Sequence, residues 1–169
     1  MSSNALRVLI TGAILVVLSA CGHEPVRKLP PATRSVPSEP APAPAPRRMT
    51  RAEAAAQIAR DQVGVPYRYG GSDRRGFDCS GLVQYAYSKV GMSVPRTTAA
   101  QWQGLDPVSR ASLRPGDVIF FRIEGKISHV GMYLGGGRFV HAPETGRTVS
   151  VESLSSPFYA NAFARGGRP

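Results

Sequence analysis

Cysteine is scarce in this sequence, with two in 169 residues, Cys21 and Cys79. This excludes the disulfide framework that stabilises many small exported scaffolds, so each cysteine needs its own explanation. Long hydrophobic runs are also absent, because the apolar stretch over residues 8–18 is shorter than the roughly 20 residues that a membrane-spanning helix needs. Acidic residues are few, with 11 Asp and Glu against 21 Lys and Arg, which gives a net charge of +10.

Residues 1–20 have the features of an export signal, since Arg7 precedes the apolar stretch and small residues follow it. Leu18-Ser19-Ala20-Cys21 resembles the lipobox of bacterial lipoproteins, whose cysteine is lipidated and becomes the first residue of the mature chain. Bacterial sorting retains lipoproteins with Asp at the next position at the inner membrane, whereas this chain has Gly22. The resemblance implies an outer-membrane lipid anchor at Cys21, facing the periplasm. The alternatives are an ordinary cleaved signal with an incidental cysteine, or an uncleaved anchor.

Residues 21–49 differ in composition from the rest of the chain, since eight of the fifteen prolines lie between Pro25 and Pro46. Such a segment has little apolar surface to bury and favours extended polyproline II, so we predict a tether. A disordered spacer without defined reach is the alternative. Residues 50–169 then remain as one domain, large enough for a single hydrophobic core.

The charge of this domain indicates the kind of partner it has. From Arg51 onward there are 15 Lys and Arg and 9 Asp and Glu, so the domain carries +6 of the total +10. The excess is spread along the domain and favours acidic partners such as nucleic acid, anionic lipid or carboxylate-bearing peptides. Because the export signal argues against nucleic acid, we expect no nucleic-acid partner.

The order of secondary structure is helices first and strands afterwards. Thr50-Arg51-Ala52-Glu53 is a capping box that begins the first helix. A second helix should begin at Cys79 with Asp78 as its N-cap and end at Gly91, and a short third helix should cover residues 97–102. Strands are predicted over residues 118–121, 129–134, 138–141 and 148–151. This order predicts an α+β fold in which helices pack on a central antiparallel sheet.

The two histidines of the domain should share one face of that sheet. Alternate residues of a strand point the same way, and a three-residue loop at Gly135-Gly136-Gly137 would pair odd positions with odd positions. His141 would then lie on the face of His129, within reach of its ring. A two-residue loop would reverse this parity, so the prediction depends on the loop.

Cys79, at the first turn of its helix, should gain from the unpaired amides there, which stabilise a thiolate. We then expect Cys79 to attack a carbonyl, His129 to act as general base and acid, and His141 to orient the His129 ring. The Cys79 amide is a candidate oxyanion donor, and Tyr67 is a candidate second donor or site-shaping group. This chemistry needs no cofactor.

Other interpretations of the same residues remain open. Cys79, His129 and His141 are suitable zinc ligand types, although no CxxC or HxxxH spacing supports a metal site. Tyr67 and Tyr69 are equally well explained as half-buried aromatics at a sheet edge. A metal site and a thiol hydrolase thus compete for the same three side chains.

Six motifs occur across residues 66–142. They are Pro66-Tyr67-Arg68-Tyr69-Gly70-Gly71, Phe77-Asp78-Cys79-Ser80-Gly81-Leu82-Val83, Pro95-Arg96-Thr97-Thr98, Leu113-Arg114-Pro115-Gly116-Asp117-Val118-Ile119-Phe120-Phe121, His129-Val130-Gly131-Met132-Tyr133 and Phe139-Val140-His141-Ala142. In this order they resemble the NlpC/P60 family of papain-like cell-wall peptidases. With the lipobox, the chain resembles murein endopeptidase lipoproteins of the MepS/Spr type.

The resemblance implies a papain-like fold and peptidoglycan stem peptides as substrate. It implies that Cys79 is the nucleophile, His129 the base and His141 the third polar residue. Asp78 and Ser80 match positions that bind the free amino end of a stem peptide in some relatives. The bond cut would be the D,D cross-bridge or the γ-D-glutamyl to diamino-acid bond, and the single-domain lipoprotein arrangement favours the cross-bridge.

Two other classes of function compete with the peptidase. One is a murein-binding lipoprotein without activity, which the intact set of Cys79, His129 and His141 disfavours. The other is a papain-like acyltransferase or amidase acting on lipid, but its circularly permuted relatives have a different order of cysteine and histidines. A regulatory protein partner is compatible with the sequence, which does not identify one.

Overall fold

The computed structural model describes residues 47–169. The predicted export signal, the predicted lipidation site Cys21 and most of the predicted Pro- and Ala-rich tether lie outside the described residues. Within residues 47–169, no helix is long and apolar enough to cross a membrane.

Within residues 47–169, three helices precede the strands of the large sheet in the chain, and a fourth lies between its last two strands. They are α1 (Arg51–Arg60), α2 (Cys79–Ser88), α3 (Thr98–Gly104), a 3₁₀ turn (Arg110–Ser112) and α4 (Pro157–Ala162). The capping box at the start of α1 is confirmed, since Thr50 and Glu53 bond each other's backbone amides. Helix α2 begins at Cys79 with Asp78 as its N-cap, as predicted. It ends at Ser88, three residues before the predicted end at Gly91, which has φ of 71°.

The strands form one large antiparallel sheet and one small hairpin. They are β1 (Ser72–Asp73), β2 (Gly76–Phe77), β3 (Asp106–Val108), β4 (Val118–Ile123), β5 (Lys126–Gly135), β6 (Arg138–His141), β7 (Ser150–Ser153) and β8 (Phe163–Arg168). The six-stranded sheet has the order β3-β8-β4-β5-β6-β7, and β1 pairs with β2. The α+β prediction with a central antiparallel sheet is therefore confirmed.

Both faces of the sheet are covered. On one face Phe120, Val130 and Met132 belong to the core cluster that includes buried residues of α1 and α2. On the other face Phe121 and Phe139 pack with residues of the segment that contains α4. The alternation of side chains along β4 and β5 thus assigns Val130 and its neighbour His129 to opposite faces.

The strand β8, which lies in the sheet between β3 and β4, was not predicted from the sequence. Its residues include Gly166 and Gly167, which have low strand propensity and therefore gave no signal. Their backbone is closely packed: a Cβ on Gly167 would lie 2.7 Å from the Phe120 ring, and one on Gly166 would lie 2.8 Å from Leu113. Helix α4, β3 and the β1–β2 hairpin were also missed, and β7 is shifted from the predicted 148–151.

The β5–β6 hairpin has a shorter turn than predicted. Gly135 pairs with Arg138, so the turn holds only Gly136 and Gly137, with φ of 59° and 73°, the positive values that such two-residue turns need. A register shift between Tyr133 and Gly135 adds one residue and restores odd-to-odd pairing. The loop prediction was wrong, but the predicted face of His141 is correct.

Candidate active site

Cys79 lies on a cleft of about 480 Å³. The lining residues are Tyr67, Tyr69, Gly70, Asp78, Cys79, Ser80, Arg96, Thr97, Thr98 and Ser128. The thiol is partly exposed, and its Sγ is 3.7 Å from the Thr98 hydroxyl. The candidate nucleophile is therefore accessible from this cleft.

Burial raises the pKa of the Cys79 thiol, although hydrogen bonds from Thr98 and from the Val130 and Ser80 amides lower it, and the charge of Asp78 raises it further. The protonated thiol is thus favoured at rest. This corrects the expectation that the helix end would hold a thiolate, because desolvation of the sulfur outweighs the nearby donors.

The Val130 amide is available to the thiol because strand β6 no longer pairs with β5 at this residue. Strand β6 pairs with β5 from Gly135↔Arg138 to Met132↔Val140, and this register stops two residues short of Val130. The thiol of Cys79 therefore lies beside the residue that directly follows His129. Helix α2 and β5 together place the sulfur and the imidazole at the end of the β5–β6 ladder.

The two imidazoles make a direct hydrogen bond. His129 Nε2 is 2.8 Å from His141 Nδ1, and the rings meet edge to face with an interplanar angle of 81°. His129 is 7% exposed and His141 is 1% exposed. Burial lowers the pKa of His129 to about 4 and that of His141 to about 3, so both are neutral near pH 7.

This hydrogen bond is compatible with the tautomer that a base at His129 requires. If His129 Nδ1 is to accept the thiol proton, Nε2 must carry the hydrogen and donate it to His141 Nδ1. His141 then carries its own hydrogen on Nε2, which has long contacts to the Ser150 hydroxyl at 3.5 Å and the Tyr159 hydroxyl at 3.4 Å. His141 can therefore hold the His129 ring in the orientation that a base requires.

Asp78 is engaged on both carboxylate oxygens. Oδ1 accepts from the Gly81 amide at 2.7 Å and Oδ2 from the Gly70 amide at 3.0 Å. Arg96 contacts both oxygens, and Ser80 donates to Oδ1 at 3.2 Å. Burial alone would raise the pKa of Asp78, but the bonds from Arg96 and Gly81 outweigh it and lower the pKa. The polar atoms of Asp78 and Ser80 are thus committed within the protein, and their substrate role stays a prediction.

The two tyrosines of the cleft differ in exposure. Tyr67 is tied through its amide to the Arg147 carbonyl at 2.8 Å. Burial, and then the charges of Cys79 and Asp78, raise the pKa of Tyr67, so its hydroxyl remains a donor. Tyr69 is 90% exposed, so the half-buried interpretation was wrong for this residue.

Sequence reasoning gave no role to Arg96, Thr98 or Tyr159. Arg96 and Thr98 belong to a quoted motif, but nothing in the sequence shows that they contact residues 18 and 19 positions earlier. Tyr159 lies on α4, which has no strong helix signal. Among residues 47–169, no group of three or more His, Cys, Asp or Glu side chains is arranged to hold a metal ion.

The sequence model of the NlpC/P60 family matches residues 64–168. The chain belongs to the NlpC/P60 family. Its fold is similar to a NlpC/P60 family protein from Bacillus cereus ATCC 10987, with a TM-score of 0.65, 32% identity, and coverage of 69% of this chain and 39% of that one. The NlpC/p60 domain of peptidoglycan hydrolase SagA is also similar, with a TM-score of 0.62, 33% identity, and coverage of 70% and 98%.

Two Escherichia coli K12 proteins are similar in sequence. Murein DD-endopeptidase MepH is 44% identical over 108 residues, which are 60% of this chain and 40% of MepH. Murein DD-endopeptidase MepS/Murein LD-carboxypeptidase is 35% identical over 176 residues, 96% of this chain and 93% of that protein. This chain therefore spans less than half of MepH but nearly the whole of MepS.

Proposed function

We propose that this protein is a peptidoglycan endopeptidase that cuts the D,D cross-link between stem peptides. The single observation that carries the proposal is the placement of the Cys79 thiol beside the His129 strand, with His129 Nε2 bonded to His141. Membership of the NlpC/P60 family and similarity to MepS along almost the whole chain support the substrate class.

The proposed mechanism uses four side chains, those of Cys79, His129, Tyr67 and His141. The Cys79 thiol gives its proton to His129 Nδ1 as sulfur attacks the peptide carbonyl carbon. The oxyanion accepts hydrogen bonds from the Cys79 amide and the Tyr67 hydroxyl. His129 then donates the proton to the leaving amine, the C–N bond breaks and a thioester remains.

Hydrolysis of the thioester reverses these roles. His129 takes a proton from water, whose oxygen attacks the thioester carbonyl. The C–S bond breaks, sulfur recovers its proton and the acid product leaves. His141 keeps the hydrogen bond to His129 in both halves, and it stabilises imidazolium less than a carboxylate would, which a thiol nucleophile tolerates.

The bond can be identified from muropeptides of known structure. Incubation of purified cross-linked dimers and mass spectrometry should show release of monomers, with Cys79→Ala as the inactive control. Dimers that keep their cross-link but have stems cut after γ-D-glutamate would indicate the D,L alternative. Loss of only a terminal D-amino acid would indicate the LD-carboxypeptidase activity in the name of MepS, and binding without any cleavage would indicate the murein-binding alternative.

We also propose that Cys21 is lipidated and holds the protein on the periplasmic side of an outer membrane. The lipobox and Gly22 support this, and residues 22–49 would span roughly 90 Å if fully extended as polyproline II. In membrane fractions, Cys21→Ser should move the protein from the outer-membrane fraction to the soluble periplasm. An unchanged distribution would contradict the anchor.

A further inference from the structure

Two clefts border the residues of the candidate active site. The larger one opens on Cys79 and holds about 480 Å³, while a second of about 190 Å³ opens on His129. The second cleft is lined by Ile123, His129, Pro143, Glu144, Phe158 and Tyr159. No residue lines both clefts: Cys79 lines the larger one, and His129 lines the smaller one.

We propose that the His129 cleft binds the leaving-amine half of the substrate, at a residue whose amine lies beside a free carboxylate. This inference rests on the proposed function. During cleavage the acyl half becomes attached to Cys79, while the leaving nitrogen must reach the proton on His129. The acyl half therefore occupies the Cys79 cleft, and the amine half extends toward the His129 cleft.

The size and walls of the His129 cleft suit one amino-acid residue. Its volume of about 190 Å³ is well below the roughly 300 Å³ at which pockets for drug-sized ligands begin. Ile123, Pro143 and Phe158 supply apolar surface, and Phe158 is 58% exposed although it is a large aromatic. An unbranched hydrocarbon chain such as that of a diamino acid matches this lining.

The charges at the cleft suit an amine next to a carboxylate. Glu144 is the single acidic residue among the lining residues of this cleft, in a domain with a positive balance. Arg147 lies on the same turn, where its amide donates to the Glu144 carbonyl at 3.1 Å. Tyr159, which lines the cleft, has a pKa that is raised mainly by burial of its hydroxyl and next by the charge of Glu152, while Arg147 lowers this pKa and Glu144 raises it.

The assignment favours one bond. In a D,D cross-link, the leaving amine belongs to the distal centre of a diamino acid, where the same carbon carries a carboxylate. Glu144 would pair with the amine as it becomes ammonium, and Arg147 with the carboxylate. In the γ-D-glutamyl bond, the corresponding carbon of a longer stem carries an amide, so Arg147 would have no partner.

Kinetics on two matched dimers test the proposal in the full mature chain. One dimer has a free carboxylate beside the leaving amine, and the other has a carboxamide there. The wild-type protein should prefer the carboxylate dimer at least tenfold in kcat/KM, and Arg147→Gln should reduce that ratio toward one. Glu144→Gln should raise KM for both dimers. Arg60→Gln and Asp106→Asn, which remove the same charges at exposed positions away from the cleft, should keep the wild-type ratio.

If the wild type and Arg147→Gln have equal ratios of kcat/KM for the two dimers, the proposed binding site is contradicted. If the wild type cuts neither dimer, the proposed function fails, and binding still tests the cleft. Titration of the Cys79→Ala chain with free meso-diaminopimelate should then shift the NMR signals of the Ile123 methyl groups and the Phe158 ring in a saturable way. No saturable shift, or shifts confined to the Cys79 cleft, would contradict the assignment.

Discussion

Arg96 holds the carboxylate of Asp78 with both terminal nitrogens, at 2.9 Å to Oδ1 and 2.6 Å to Oδ2. Because Asp78 caps the helix that begins at Cys79, this ion pair fixes the segment that carries the thiol. Arg96 also reaches the Ser80 hydroxyl at 3.1 Å and the Gly71 carbonyl at 3.4 Å. The Arg96 guanidinium thus connects the backbone at Gly71 to the N-terminus of α2.

Replacement of Arg96 by Lys should weaken this arrangement. A lysine cannot make the bidentate contact, so we expect a loss of about 1–2 kcal/mol in the free energy of unfolding and a lower kcat. Urea denaturation and dimer cleavage measure the two effects. The control is Arg74→Lys, at an exposed loop position, which should change neither. Wild-type kcat in Arg96→Lys would show that the ion pair does not position Cys79.

Loss of the imidazole at 141 should remove the orientation of the base. His141→Ala leaves His129 Nε2 without its partner at 2.8 Å, and we expect kcat to fall on the order of 100-fold. His141→Asn keeps an acceptor and should fall less. Steady-state cleavage at pH 7.5 measures both, with circular dichroism to confirm the fold. An alanine variant as active as the asparagine variant would contradict the orienting role.

The histidine pair should make the protein sensitive to mild acid. Burial lowers the folded-state pKa of His129 to about 4 and of His141 to about 3, below their usual value of about 6.5. Between pH 6.5 and 4.5 the unfolded chain binds protons that the folded protein does not, so stability falls as pH falls. The expected loss is about 2 kcal/mol per histidine.

Urea denaturation at pH 7 and pH 4.5 checks this loss. Salt bridges and hydrogen bonds lower the pKa of Glu53 and of Asp73 to about 2 and also lower the pKa of Asp78, so the histidines should dominate in this window. His141→Asn should lose less stability over the same interval than the wild type. Equal losses would mean that other groups cause the acid sensitivity.

The thiol of Cys79 should be slow to alkylate at neutral pH. Its pKa is raised, mainly by burial, so the thiolate fraction near pH 7 is small and should increase steeply above pH 9. Thr98→Val removes a hydrogen bond to sulfur and should slow the reaction further. Iodoacetamide labelling of Cys79, followed by mass spectrometry from pH 6 to 10, measures this. A rate that is already constant from pH 6 upward would indicate a thiolate at rest.

Local signals in the sequence predicted the elements that carry the nucleophile and base. Asp is a preferred helix N-cap, and Asp78 directly precedes Cys79. The start of α2 at Cys79 could therefore be predicted from Asp78 alone. The shared face of His129 and His141 followed from strand alternation, although the register shift that preserves it left no signal.

The contacts that depend on tertiary packing could not be derived in this way. Arg96 meets Asp78 across 18 positions, and spacing alone does not distinguish it from a solvated arginine. The cleft at His129 is formed by α4 and the loop after β6, and neither gave a strong pattern. Strand β8 was not predicted because its glycines have low strand propensity, and the close packing that leaves no space for a Cβ at Gly166 and Gly167 is not visible in the sequence.

The position of β8 has a consequence for when the domain can fold. It follows the other strands in the chain, yet it lies between β3 and β4, and β3 occupies the sheet edge beside it. Much of the sheet pairing therefore joins residues far apart in sequence, which slows folding. The sheet cannot be completed until residues 163–168 are free to pair with β3 and β4. The domain would therefore stay unfinished until nearly the whole chain is available.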